Sequence, residues 1–277
     1  MLTSHDGSNV RLVSESGSLG NGKVYRGLGA RPAVNLKSTV LIVSGTGEKD
    51  DPYILEGDIQ GIDNGTTLLN TRYSGEYVTL GNVLYRIVDV EQVGDELLTK
   101  ITAVDKPSAL SSNKFHSETR VTSFANASIK TDLENYYQGL KTTNETAYNM
   151  IEPNTTWYLG TVGKEINYKA SICATVDANT SMNACRDKAT STTASIGLPR
   201  VGEMFTSQIT RGTKDTFWTL TPYSSSGVRH VFRSGYMYHF EPTGSMGARP
   251  SMYLKSTIKI AGSNSGNGTF EKPYSVE

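Results

Sequence analysis

The sequence predicts an α+β fold of mostly antiparallel strands, with two or three short helices and long polar loops. Three observations predict it: short alternating runs between glycine turns, a 3.6-residue apolar period in the middle of the chain, and a set of closing strands that occurs twice. The first strands cover 76–80 and 84–90 around a Gly81-Asn82 turn, and a third covers 97–103 after Gly94-Asp95. Glycine paired with Asn or Asp between alternating runs marks a hairpin, because tight primed turns need positive φ. The period then changes. Ile129, Leu133, Tyr136, Tyr137 and Leu140 fall on one face of a helix that Ser128 can cap and that Gly139 or Thr142-Thr143-Asn144 can end. A second short helix covers about 145–151, and 157–160 is strand-like. The stretch 164–194 is polar with little periodicity, and Ile196-Gly197-Leu198-Pro199 leads into a third helix near 201–207. Strands return at 216–221, 228–233, 237–240 and 249–260.

The two ends of the chain carry the same pattern. Leu2-Thr3, Val10-Arg11, Val13, Ser16-Gly17, Gly29-Ala30-Arg31-Pro32 and Leu36-Lys37-Ser38-Thr39 recur 218 residues later. There they are Leu220-Thr221, Val228-Arg229, Val231, Ser234-Gly235, Gly247-Ala248-Arg249-Pro250 and Leu254-Lys255-Ser256-Thr257. Sixteen of these 39 aligned positions are identical, which marks an internal repeat. The phase then slips by three, so that Pro52-Tyr53 matches Pro273-Tyr274. Residues 1–56 are therefore expected to be the C-terminal portion of one repeat and 57–277 a complete one, within a longer tandem array. Without partner strands, the first portion is expected to stay loosely ordered, to dock on the complete copy, or to self-associate through open edges.

With these residues in view, 57–277 resembles a family of bacterial, Gram-positive-type surface modules with a C-type-lectin-like fold. That fold is shared with formylglycine-generating enzymes and with variable tropism proteins of phages. The resemblance rests on Gly75, Tyr77-Val78, Gly81 and Arg86-Ile87, on the helix at 129–139, and on Ile196-Gly197-Leu198. It rests further on 218–221, Val228-Arg229, and Gly247-Ala248-Arg249-Pro250 with Leu254-Lys255-Ser256. It implies a binding or spacing role outside the cell, on the cell surface or wall, and no catalytic centre. Catalytic members of the fold use reactive or copper-binding cysteines near the C-terminal end, and no cysteine follows Cys185.

Composition agrees with a wet, uncharged surface. Basic and acidic residues balance at 27 each, so no global charge draws the chain to nucleic acid or anionic lipid. The chain has 15 Tyr, 27 Gly and only 9 Pro, a usage common in β-rich surface proteins. No apolar run reaches the roughly 18 residues of a membrane span. The polar start at Met1 is no signal peptide, so an export signal is expected outside this chain. Cys173 and Cys185 stand alone in one polar stretch, with no other ligands for zinc. Two readings stand: two free thiols, or a disulfide closing that loop, worth about 2–3 kcal/mol and implying an oxidising compartment.

Few constellations carry chemistry. His5, His116, His230 and His239 flank no recognisable nucleophile, and strand or surface packing explains them. Glu241-Pro242-Thr243 supplies half of a calcium-lectin loop, but Thr cannot replace an amide carbonyl, so no metal and no other cofactor is expected. The binding candidates are Trp218, Tyr223, Arg229, Arg233, Tyr236, Tyr238, His239 and Glu241, among which Phe232 and Phe240 also fall. Aromatic and Arg side chains dominate binding hot spots. The matching stretch 11–24 of the first copy has almost no aromatics, as expected of a scaffold with a changeable face. The expected partner is a protein or carbohydrate on another surface. The alternative is that these rings fill a core and the repeat is a stalk, and less favoured still is an enzyme of the formylglycine-generating kind. The recurring Gly29, Arg31 and Pro32 and Gly247, Arg249 and Pro250 are read as scaffold, with the Arg guanidinium bridging backbone carbonyls or a carboxylate.

Overall fold

The computed structural model describes residues 9–13, 19–23, 25, 27–28, 36, 40–48, 50–56, 65–159, 191–206, 215–233, 237–262 and 266–277. Among them, seventeen strands and three α-helices form an α+β architecture dominated by antiparallel pairing. Gly57, Cys173, Cys185, Gly29, Arg31, Pro32 and Tyr236 lie outside the described residues, so the boundary, disulfide and first-copy motif expectations lie there too. No described helix is long and apolar enough to cross a membrane.

The core is a six-stranded sheet in the order β11-β16-β7-β6-β5-β17. Its centre is the hairpin series β5 (Tyr77–Leu80), β6 (Val83–Val93) and β7 (Glu96–Ala103). Gly81 and Gly94 each open a two-residue turn at φ 62° and 60°, as the glycine pairs in the sequence predict. β16 (Ser251–Leu254) pairs with β7, placing Met252 opposite Ile101 and Tyr253 opposite Lys100. β11 (Ile196–Gly197) extends that edge. β17 (Tyr274–Ser275) closes the other edge in parallel with β5, so the first and last strands of the domain lie side by side. The closing strands β16 and β17 thus pair with the 77–103 hairpin series on its two sides. The strand expected over 249–260 shortens to four residues, and beyond it 258–260 run back along 67–69 through single bridges.

Helix α1 (Ser128–Thr143) buries Ile129, Leu133, Tyr137 and Leu140 against this sheet, the face its periodicity marks. Gly139 does not end it; the chain runs on to Asn144, whose side chain accepts from Ala147 N–H and starts α2 (Glu145–Met150). Ser128 is not the side-chain cap the sequence suggests. It sits inside the first turn, and its N–H donates to His116 Nδ1 at 3.0 Å, so an imidazole from a distant loop does the capping. The third helix, α3, covers Val201–Thr206.

β9 (Thr155–Tyr158) and β10 (Ser191–Ala194) pair antiparallel, so the long polar stretch leaves and returns at adjacent strands. A separate three-stranded sheet joins β12 (Phe217–Ser224), β13 (Gly227–Val231) and β14 (Met237–Phe240). It meets the main sheet where a register shift in β6 between Ile87 and Asp89 turns Val88 outward onto Phe217, Val231 and Met237.

The N-terminal residues form two hairpins. β1 (Asn9–Val13) pairs with β2 (Leu19–Lys23), and β3 (Leu41–Ser44) with β4 (Ile54–Glu56). Val10 opposite Gly22 and Val13 opposite Leu19 reproduce, 218 residues earlier, Val228 opposite Phe240 and Val231 opposite Met237. Ile42 opposite Leu55 likewise reproduces the Ile260–Val276 bridge. The turn between is built twice in the same way. Gly47 at φ 80° lies under the Tyr53 ring, and Gly268 at φ 76° under the Tyr274 ring, where a Cβ would come within 2.5 and 2.6 Å of those rings.

Candidate functional site

Two constellations stand out: the aromatic hairpin that the sequence marks, and a buried charge network that it does not.

The hairpin β13–β14 hangs on β12 and ends in an open strand edge among the described residues. His239 lies opposite Arg229, and its ring stacks on Tyr223 with centroids 3.6 Å apart and planes 13° from parallel. The Arg229 guanidinium stands 5.0 Å from the same Tyr223 ring, so one ring contacts both a cation and an imidazole. Burial, aided by the neighbouring Arg229 charge, lowers the His239 pKa. His230 is lowered further, to about 4, by burial and then by His239, so it stays neutral at physiological pH. On the opposite face of β14, Tyr238 and Phe240 are each about half exposed, at 52%. Tyr238 meets Phe232 edge-on at 5.8 Å, and Arg233 lies 5.4 Å from the Phe232 ring. Glu241 is exposed beside them.

The structure divides the predicted site residues. Tyr238, His239, Arg233 and Glu241 present surface, and Tyr223 is partly covered. Trp218 is fully buried: it packs edge-on against Phe115 at 5.8 Å and donates from Nε1 to the Asn113 carbonyl. It is a core residue and cannot meet a ligand. Arg229 is also buried, at 3% exposure.

Arg249 is buried in the scaffold, as the shared motif suggests. Its guanidinium lies 4.2 Å over the Phe217 ring, and burial lowers its pKa to about 10 against the pull of Asp105 and Asp215. Gly247 is required beside it, because a Cβ there would strike the Lys106 side chain at 2.6 Å. Pro250 is buried in the same run, and its carbonyl accepts from Ala103 N–H. Arg249→Ala is expected to cost about 2–3 kcal/mol through lost stacking and packing, read as a fall in Tm. Arg249→Lys should recover little of it, because an ammonium cannot lie flat on Phe217.

The second constellation crosses the core sheet. The β6 register shift brings Asp89 opposite Lys100, and Lys100 is opposite Tyr253. The Lys100 ammonium donates to Glu203 Oε1 at 2.7 Å and lies 4.5 Å from the Trp157 ring. Gly197 permits this wall, because a Cβ there would reach 2.6 Å from Trp157. Glu203, three residues into the turn that starts α3, takes Arg200 N–H at 2.7 Å and Arg200 Nε–H at 2.8 Å, one half of a capping box. Arg200 Nη2 donates to Glu91, and to Asp89 Oδ2 at 3.3 Å; Tyr253 O–H donates to the other Glu91 oxygen. Arg200, Lys100, Glu91, Glu203 and Tyr253 are almost completely buried.

The charges here are set by position. Burial pushes Glu91 up, but Arg200 and Lys100 outweigh it and hold the carboxyl below its usual range. Lys100 is lowered by burial and by Arg200, against the pull of Glu203 and Glu91. Asp89, at the open end of the network, is raised to about 7 by burial and by the Glu91 charge, against Arg200. Carboxylate oxygens of Asp89, Glu91 and Glu203 lie within 4.8 Å of one another, close enough for a divalent cation. They already accept from Arg200 and Lys100, whose two positive charges offset the two buried glutamates, so an ion would have to displace buried cations. The donor set fits an internal ion network and not a metal centre.

Asp89 makes a pH prediction. Its folded pKa is raised, so between about pH 4 and 7 the folded state holds a proton that the unfolded chain has released, and stability falls as pH rises through that window. Asp89→Asn never ionises and should flatten the profile. Unfolding free energies from denaturant titration should match wild type at about pH 3–4 and exceed it near pH 8 by about 1–2 kcal/mol, a figure reduced for the solvent that reaches this side chain.

Comparison with protein-family models, with curated proteins and with solved structures found no match to this chain.

Proposed function

We propose that this chain is a non-enzymatic binding module of C-type-lectin-like type from an extracellular tandem-repeat surface protein, and that it meets a carbohydrate or protein ligand with the β13–β14 hairpin. One observation carries the proposal. The same hairpin occurs twice in the same register, as β1–β2 and β13–β14, yet its second strand changes from Leu-Gly-Asn-Gly-Lys to Met-Tyr-His-Phe-Glu. A constant backbone with a replaced outer row of side chains suits a scaffold whose ligand varies between repeats. The chemistry suits recognition. Half-exposed Tyr238 and Phe240 offer flat apolar faces, as sugar rings and hot-spot side chains require. Arg233 and Glu241 at the rim offer donors and acceptors, and the Tyr223 ring carries contacts to both His239 and Arg229 behind them. The domain's adjoining first and last strands, and its long excursion from one strand pair, support the lectin-like reading.

A glycan array and an immobilised peptide array probed with the whole chain test the proposal. The expected result is saturable binding to one chemical class, lost on Tyr238→Ala. Silence across both arrays would favour the second reading, a stalk repeat that spaces another domain, which the recurrence of the closing strands also suits.

A further inference from the structure

The two copies of the closing segment offer a comparison inside one molecule. In the complete copy, Tyr274 is wholly buried. Its hydroxyl donates to Glu76 Oε1 at 3.1 Å, the Arg72 guanidinium lies 5.3 Å from its ring, and its strand adds in parallel to β5 with Tyr274 opposite Val78. Arg72 and Glu76 are themselves paired at 2.8 Å, so Tyr274 packs into an Arg–Glu clasp beside the β5 edge that its strand covers. Its equivalent, Tyr53, stands over the same kind of glycine turn yet is 52% exposed. Ile42 is 51% exposed where Ile260 is 0%, and Val13 is 59% exposed where Val231 is 0%. Among the described residues, β4 pairs only with β3, whereas its counterpart β17 also pairs with β5. The positions left open in the first copy are those the domain body covers in the second.

We propose that residues 9–56 form an interaction surface for a second domain body of the kind built by 65–206, joined on the N-terminal side. In the complete copy the body precedes its closing segment, which sets the side. Tyr53 would enter an Arg–Glu clasp equivalent to Arg72–Glu76, and Tyr53-Ile54 would extend in parallel a strand equivalent to Tyr77–Leu80. The partner is thereby specified by chemistry: a paired Arg and Glu next to an apolar strand edge, over a sheet able to bury Ile42 and Val13. This rests on the repeat and not on the binding role of β13–β14, so either can fail without the other.

The test places residues 57–218 ahead of Met1 of the whole chain, so that the added body meets residues 1–56 at the spacing found in the complete copy. Amide hydrogen exchange at 41–44 and 54–56 is then compared with the parent chain. The expected result is exchange slowed about a hundredfold in the extended chain, with Tyr53→Asp abolishing that protection there and leaving exchange in the parent unchanged. The original domain of the extended chain reports on folding independently. If it melts as in the parent while 41–44 and 54–56 exchange as fast as before, the proposal is overturned, whether or not the added body folds. Protection in the parent that rises with concentration would also overturn it, by showing that the surface is covered by a second copy of this chain.

Discussion

Glu203→Ala is expected to lower unfolding free energy by about 3–5 kcal/mol and Tm by about 10 °C, among the largest effects of any single substitution in this domain. Three donors lose their acceptor at once: Lys100 Nζ, Arg200 Nε and the Arg200 backbone N–H. Both cations are buried, so water cannot replace the lost partner without opening the sheet. The α3 start loses its capping interaction in the same step. Most of the loss comes from stranded charge and little from any strength of the pair itself. Removing Lys100 and Glu203 together, by Lys100→Met and Glu203→Leu, should therefore cost less than Glu203→Ala alone. Urea unfolding with unchanged slope is the measurement. A loss under about 1 kcal/mol for Glu203→Ala would mean that the network is hydrated in solution.

Tyr274→Ala and Tyr53→Ala should separate by about 2 kcal/mol or more, although they stand at equivalent places in the repeat. Tyr274→Ala empties a fully buried ring site, breaks a hydrogen bond to Glu76 and unseats the parallel strand that closes the sheet, for about 3–5 kcal/mol. Tyr53→Ala removes a ring with half its surface already in water, for under about 1 kcal/mol. Equal losses would show that residues 9–56 are covered in the monomer as fully as the complete copy is.

Much of the fold was legible because its signals are local. The Gly81-Asn82 and Gly94-Asp95 turns set the β5–β6–β7 register, and the four-residue spacing from Ile129 to Leu133 set the buried face of α1. The offset of 218 found the two equivalent hairpins, because their registers depend on residues that are repeated, such as Val10 and Val228. The buried network was not legible. Its members are spread from Asp89 to Tyr253, each reads alone as a polar strand or loop residue, and the register shift after Ile87 puts Asp89 and Glu91 on the face opposite Tyr85 and Ile87, where alternation alone does not place them. The one available signal was Glu203, at capping-box distance from Arg200. Trp218 reads from the sequence as a ligand-facing residue because strand alternation cannot tell a half-buried strand from one covered on both sides, as β12 is along 217–222. His116 as the cap of α1 is a tertiary contact with no sequence spacing to reveal it.

The claim that β14 carries a ligand face on an independent scaffold is tested most directly by the double variant Tyr238→Ser with Phe240→Ser, measured for both Tm and array binding. Each ring already has half its surface in water, so the account predicts a stability loss under about 1 kcal/mol, a shift of a few degrees at most, together with loss of binding. A fall in Tm of about 10 °C, or binding that survives both substitutions, would contradict it: the first would make these rings core, and the second would place the ligand elsewhere.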